Sequence, residues 1–137
     1  MKQSINVIKV KQKNSDDCWA IAISKLLKKP YDEIFNKYKV LEMPNGGLDL
    51  NSIKGIFSTF PNYDIYNTTI DLVDAFQLYD NSRGILFLME TKNSNDDSHA
   101  VYIKKDTIYD NIELNEVWWY MKNYKVISII LERLTYK

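Results

Sequence analysis

A short apolar stripe that follows a polar cluster restricts the fold of this chain more than any other feature. The stripe has the i, i+3, i+4, i+7, i+8 spacing of one helix face. Its members are Trp19, Ala22, Ile23, Leu26 and Leu27. Residues 14–17, Asn-Ser-Asp-Asp, are of types that favour helix N-caps, and Pro30 closes the segment. The pattern predicts a half-buried helix with Cys18 in its first turn.

Helical spacing dominates the first part of the chain, and strand-like runs dominate the remainder. Further helices are predicted over residues 31–38, 50–60, 72–79 and 113–122. Strands are predicted over residues 5–11, 63–66, 84–90, 99–104, 107–109 and 126–134. This order predicts an α+β fold, with N-terminal helices packed on a mostly antiparallel β-sheet. No linker or repeat divides the sequence, so residues 1–137 are expected to form a single domain.

Two polar or aromatic segments near the end of the chain allow more than one interpretation. Residues 92–98 are predicted to be a polar loop, either a solvent-facing connector or a gate over a cleft. The helix over 113–122 is expected to bury one face, which carries Leu114, Val117, Trp118 and Met121. The cluster Trp118-Trp119-Tyr120 fits core packing, a shield for a polar pair, or the wall of a substrate groove.

Composition excludes several classes of protein. The 18 basic and 18 acidic residues balance, so no basic field favours nucleic acid. A single cysteine allows no disulfide within the chain, and the apolar runs are too short to span a bilayer. The start of the sequence lacks the apolar run of a secretory signal, so a cytoplasmic location is expected. Abundant Lys, Asn, Ile and Tyr suggest a bacterial or phage source.

Cys18 has two interpretations from sequence. A lone cysteine beside an apolar helical stripe is most often a small buried hydrophobe. A helix N-terminus, however, favours the thiolate, and its free N–H groups can receive an oxyanion during acyl transfer. The carboxylates of Asp16 and Asp17 oppose that effect, and a helix-capping role suits them better.

His99 is the only histidine in the chain, and Asp110 ends the hairpin that His99 begins. A histidine on a strand is commonly a packed or solvated residue, but a cysteine nucleophile needs a base that titrates near neutral pH. A carboxylate on the neighbouring strand can orient the imidazole, with Asn111 as the alternative and a turn role as the ordinary one. Gln12 can supply an oxyanion donor beside the backbone N–H of Cys18.

The ordered set resembles a known family. The segment from Gln12 to Ala20 resembles the papain-like signature, in which a Gln precedes the nucleophilic Cys by six positions. The run Ser98-His99-Ala100-Val101-Tyr102-Ile103 and the Asp110 that follows are similar to the family's His strand and its Asp or Asn partner. Length and order are most similar to bacteriocin-processing peptidases, which cut double-glycine leaders. The chain departs from them in having Trp19, where a small residue is usual.

The resemblance implies a papain-like cysteine peptidase fold. In it Cys18 is the nucleophile, His99 the base, Asp110 the orienting residue and Gln12 the oxyanion donor. We expect hydrolysis of an amide in a peptide or protein substrate, with no cofactor. Deamidation, isopeptide cleavage and acyl transfer use the same residues, and an inert binding module is the alternative outside catalysis. One Cys and one His cannot form a structural zinc site, and the sequence carries no signal of oligomeric state.

Overall fold

The chain folds around one mixed sheet. The computed structural model describes residues 5–11, 13, 17–44, 46–78, 83–92 and 94–133, with the backbone alone over 94–97. The helices within these residues are α1 (Cys18–Leu27), α2 (Tyr31–Tyr38), α3 (Leu50–Ser58), α4 (Leu72–Leu78) and α5 (Val117–Asn123). The strands are β1 (Asn6–Lys9), β2 (Tyr63–Asp71), β3 (Gly84–Thr91), β4 (Ser94–Lys104), β5 (Thr107–Asp110) and β6 (Tyr124–Glu132). The predicted α+β class is confirmed.

The six strands lie in the order β1-β5-β4-β3-β6-β2. Only the β1–β5 pair is parallel, and the other four pairs are antiparallel. The hairpin between β4 and β5 turns at Lys105, whose φ of 56° lies in the left-handed region. A mostly antiparallel sheet was predicted, and the sheet has that character.

Helices cover both faces of the sheet because the central strands alternate their side chains between two cores. On β3, Leu86 and Leu88 belong to the core formed with α1, α2 and α3. Ile85, Phe87 and Met89 belong to the core formed with α4 and α5. All five are at most 2% exposed, as expected for a strand buried on both faces. The N-terminal helices pack on the sheet as predicted, but α4 and α5 also close its opposite face.

The end of α1 follows from local chemistry. Lys28 adopts the left-handed conformation, with φ of 58°, and its backbone N–H turns back to the carbonyls of the last turn. Pro30 then takes the N-cap position of α2. The predicted stop at Pro30 is therefore confirmed, and the short connection holds α1 and α2 side by side.

The predicted loop over residues 92–98 is wrong. Strand β4 begins at Ser94, and Ser98 pairs with Glu90 while Ser94 pairs with Thr91. The register shifts between these two pairs, which marks a bulge. Polar sequence misled the prediction because a strand ladder is held by backbone groups and does not require apolar side chains.

The predicted helix over 113–122 is also different. A 3₁₀ turn occupies Leu114–Glu116, and α5 begins only at Val117. Val117, Tyr120 and Met121 form the buried face at i, i+3, i+4 spacing. Trp118 is 68% exposed and Leu114 is 62% exposed, so neither belongs to that face. One helical step of about 100° separates Trp118 from Val117, which is enough to bring it to the surface.

Candidate active site

Cys18 is the first residue of α1 and lies at the predicted position. The carbonyl of Asp17 accepts the backbone N–H groups of Ala20 and Ile21, at 2.9 and 3.2 Å, and this starts the helix. Cys18 is a free cysteine with an intermediate degree of exposure, whereas Trp19 beside it is 1% exposed. The indole of Trp19 stacks on Phe35 of α2, with ring centroids 5.7 Å apart. The tryptophan that departs from the family pattern is thus a core residue.

Asp17 occupies the predicted N-cap position of α1, but its side chain makes no capping hydrogen bond, so the prediction holds for the position alone. Its carboxylate is fully buried. The Oδ2 atom accepts the Lys13 backbone N–H at 3.0 Å and the Tyr31 hydroxyl at 2.5 Å. Asp17 therefore joins three segments, the N-terminal arm, the start of α1 and the start of α2, directly beside the cysteine. Asp16 lies outside the described residues.

His99 brings its imidazole from β4 to the start of α1. The residue pairs with Met89 of β3, and its side chain is 17% exposed. The Nε2 atom lies 2.7 Å from Oδ2 of Asp110, and the Cys18 side chain is close enough to the ring to raise its pKa. Because Nε2 is engaged with Asp110, Nδ1 is the ring nitrogen left for the thiol. The structure thus unites the three residues that sequence placed 81 and 11 positions apart.

The surroundings of His99 favour its protonated form. Burial, the largest single influence, lowers the pKa of the imidazole, but the combined interactions with Asp110 and Cys18 outweigh it. Together they raise the pKa of His99 well above its ordinary value of 6.5. The imidazole is consequently well suited to hold a proton taken from the thiol.

Asp110 is a buried carboxylate that receives several hydrogen bonds. Its Oδ2 accepts from His99 and from the Tyr120 hydroxyl, each at 2.7 Å, and its Oδ1 accepts the Asn111 backbone N–H at 2.8 Å. Burial alone raises the pKa of a carboxyl, but these donors outweigh it and lower the pKa of Asp110 below its ordinary value. Asp110 rather than Asn111 is therefore the partner of the imidazole, and Asn111 contributes its main chain.

Tyr120 is the member of the site that sequence reasoning did not single out. It is 3% exposed, lies on α5, and donates its hydroxyl to Asp110. Burial, and next the negative charge of Asp110, raise the pKa of Tyr120 well above 10, so the phenol remains a donor. Its ring centroid is 6.3 Å from that of His99. Of the interpretations of the 118–120 cluster, shielding of the His–Asp pair suits Tyr120, whereas Trp119 is 60% exposed.

Gln12, the expected oxyanion donor, lies outside the described residues. The chain on either side of it is tied to the site. The Val10 backbone N–H donates to the Asp110 carbonyl at 3.0 Å, continuing the β1–β5 pairing, and Lys13 donates to Asp17. Val10 thus ties the N-terminal segment to Asp110, and Lys13 ties it to Asp17 beside the cysteine.

Space beside the thiol is small. A cavity of about 10 Å³ is lined by residues that include Cys18, Ala100 and Asp110. This is room for roughly one water molecule. A peptide would therefore have to reach the thiol from the solvent side of Cys18.

Metal-binding clusters and membrane-spanning helices are absent from the described part of the chain. There, no three His, Cys, Asp or Glu side chains come together in a way that could hold a metal ion. Likewise, no helix over those residues has the length and apolar character to cross a membrane.

Neither a protein-family model nor a curated protein matches this sequence. The geometry of the Cys18–His99–Asp110 group is therefore the basis for a functional conclusion.

Proposed function

We propose that the chain is a cysteine hydrolase with a papain-like fold that cleaves an amide bond in a peptide or protein. The observation that carries the proposal is that Cys18, His99 and Asp110 lie side by side, with the imidazole bonded to Asp110 and near enough to Cys18 for the cysteine to raise its pKa. A nucleophile, a base within hydrogen-bonding reach and a third group that orients the base are the signature of covalent acyl transfer. The resemblance of the segments around Gln12, Cys18 and His99 to that family points in the same direction.

The mechanism follows from these contacts. His99 holds the proton of the thiol, and the Cys18 sulfur attacks the carbonyl carbon of the substrate. The oxyanion accepts a hydrogen bond from the Cys18 backbone N–H at the start of α1, and the resemblance to the papain-like family implies a second one from the Gln12 amide. His99 then gives its proton to the leaving amine, and a thioester remains. Water, deprotonated by His99, releases the acid and restores the thiol.

Asp110 and Tyr120 act through the imidazole rather than on the substrate. The carboxylate fixes the ring with Nε2 directed away from the thiol and stabilises the positive charge that develops on it. The Tyr120 hydroxyl holds the same carboxylate oxygen from the other side. Because Asp110 is held by three donors, its lowered pKa keeps it ionised while His99 exchanges protons.

The first test is the alkylation of Cys18 by iodoacetamide at pH 6. An ordinary thiol with a pKa near 8.5 is about 0.3% thiolate at that pH. A cysteine beside an imidazole base reacts faster than an ordinary one, so we expect alkylation of Cys18 in the folded chain to be faster than in the urea-unfolded chain. His99→Ala is expected to remove the advantage. Equal rates in the parent and in His99→Ala would support an inert binding module and refute the proposal.

The second test identifies the reaction. A peptide aldehyde is expected to form a hemithioacetal with Cys18, detected by mass spectrometry, and Cys18→Ala is expected to form none. Cys18→Ala should also lose all turnover while keeping its circular dichroism spectrum. The product then distinguishes the reactions that proceed through the same thioester on Cys18. A cut substrate chain indicates a peptidase. A change of about one mass unit in the substrate indicates a deamidase, and a new cross-link indicates an acyltransferase.

A further inference from the structure

A second, larger groove adjoins the small cavity at Cys18. It has a volume of about 130 Å³, an order of magnitude above the cavity at the thiol. The residues that line it are Val10, Lys11, Lys13, Ile21, Ser24, Lys25 and Tyr31. Val10 and Ile21 also line the cavity that contains Cys18, so the two spaces share a wall. The groove is therefore near enough to the thiol to receive a side chain of a substrate bound there.

The groove is basic. Three of its lining residues are lysines, and none of the described residues that line it is acidic. The chain as a whole has a net charge of zero, so the positive charge here is local and not a general property of the surface. The buried carboxylate of Asp17 does not line the groove, and it accepts hydrogen bonds from the Tyr31 hydroxyl and the Lys13 backbone N–H.

Aromatic rings hold two of the lysines in place. The Lys13 ammonium lies 5.0 Å from the ring centroid of Tyr31, and the Lys25 ammonium lies 5.0 Å from that of Tyr109. Tyr109 itself lines the cavity at Cys18. Cation–π contacts restrict these long side chains, so less conformational entropy is lost when they bind an anion. The positive charge is thus partly organised before a ligand arrives.

The lining of the groove combines apolar and charged side chains. Val10, Ile21 and the ring of Tyr31 offer contacts for an aliphatic stem, and the lysines offer partners for a carboxylate. Tyr31 is fixed by its hydrogen bond to Asp17 and by stacking on Phe35, with ring centroids 5.6 Å apart. A glutamate side chain combines such a stem with such a head.

We infer that the proposed peptidase selects substrates with an acidic residue, foremost glutamate, whose side chain binds in this groove. The stem of that side chain contacts Val10, Ile21 and Tyr31. Its carboxylate pairs with Lys11, Lys13 and Lys25. This inference rests on the proposed function. The lysines are specificity residues, and the thiol, imidazole and carboxylate of the site perform the chemistry. Selection by charge also steers acidic peptides toward the thiol, which raises the rate of encounter at low salt.

The test uses acetylated tetrapeptide aldehydes of alanine with one glutamate or one glutamine placed at each position in turn. Binding to the full chain is measured by the competition of each aldehyde with iodoacetamide for Cys18. At one position we expect the glutamate peptide to bind roughly tenfold more tightly than its glutamine partner in 20 mM salt, and less so in 300 mM salt. The triple variant Lys11→Gln, Lys13→Gln, Lys25→Gln is expected to lose this preference.

The matched control changes the same charge elsewhere. Lys39→Gln, Lys54→Gln, Lys104→Gln alters three lysines that do not line the groove and is expected to keep the preference. Aldehydes that bind equally with glutamate and glutamine at all positions would overturn the inference and leave the thiol site intact. Loss of the preference in both triple variants would assign it to net charge and overturn the inference as well. Absence of any adduct at Cys18 would refute the proposed function itself.

Discussion

The contact between His99 and Asp110 can be measured directly, because His99 is the only histidine in the chain. Replacing Asp110 with asparagine keeps the size of the side chain and an acceptor oxygen but removes the negative charge. The 2.7 Å contact to Nε2 then becomes a hydrogen bond to a neutral group. A hydrogen bond to a charged group contributes about 1.5–3 kcal/mol. A neutral hydrogen bond contributes about 0.5–1.5 kcal/mol, so the loss is about 1–1.5 kcal/mol and the proton affinity of His99 is expected to fall roughly 5- to 13-fold.

The assay is an NMR titration of the single imidazole signal. All variants carry Cys18→Ala, so that the thiol does not titrate together with the ring. In this background the pKa of His99 is expected to move clearly downward in Asp110→Asn, since burial then acts on the ring with little opposition. The control is Asp106→Asn, which changes an aspartate at the turn of the same hairpin and should leave the pKa of His99 unchanged.

The result that would refute the reasoning is an unchanged titration of His99 in Asp110→Asn. It would mean that the carboxylate does not stabilise the imidazolium, and Asp110 would have no positioning role. With Cys18 restored, Asp110→Asn is expected to reduce turnover while retaining more activity than Cys18→Ala, because a nucleophile and a base remain.

Three further perturbations test the contacts around the site and the core. The raised pKa of His99 stabilises the fold fully below about pH 6.5, and this stability is lost as pH rises through the pKa of His99 in the folded state. The lowered pKa of Asp110 stabilises the fold above about pH 4, and this stability is lost as pH falls through the pKa of Asp110 in the folded state. The advantage of the parent over Asp110→Asn in urea unfolding should thus be largest between about pH 4 and 6.5, and parallel pH profiles would contradict the pairing. Tyr120→Phe removes the hydroxyl that donates to the buried Asp110 carboxylate, so its free energy of unfolding in urea is expected to be about 1–3 kcal/mol lower. The pKa of His99 is expected to shift as well. A variant as stable as the parent would argue against the Tyr120–Asp110 hydrogen bond. Phe87→Ala should cost about 3–5 kcal/mol because the ring is fully buried, and a loss below about 1 kcal/mol would show that the core is not packed as described.

The local parts of the fold were predictable because they follow from short-range patterns. The spacing after Cys18 gave α1, and α2 has its predicted bounds, Tyr31–Tyr38. The β4–β5 hairpin was predictable because its two strands are separated only by Lys105 and Asp106. Periodicity and turn chemistry act over a few residues, and these elements require nothing more.

The remaining features depend on contacts that sequence periodicity does not encode. The strand over Ser94–Lys104 begins in polar sequence because its pairing with β3 uses the main chain. Tyr120 has the spacing of an ordinary core residue, and only the packing of α5 shows that its hydroxyl meets Asp110. The parallel pairing of β1 with β5 joins segments about 100 positions apart, and no local signal specifies it.

In the candidate site, residue type and order carried most of the information. Cys18 and His99 were identifiable because the chain has one of each, and a thiol nucleophile requires a base. Asp110 followed from the hairpin, since its strand lies next to that of His99. The side-chain role of Asp17 was not predictable, because its partners come from the N-terminal arm and from α2.

The parallel pairing of β1 with β5 has a consequence for the order in which the molecule matures. Joining segments so distant in the chain costs more loop-closure entropy than forming a hairpin, so this pair is expected to form after the β4–β5 hairpin and the packing of α1. The amide of Val10, bonded to the Asp110 carbonyl, would then be among the last to gain protection from hydrogen exchange. On a ribosome the sulfur would emerge long before the imidazole and the carboxylate, so the proposed site cannot be assembled until the chain has been made at least as far as Asp110.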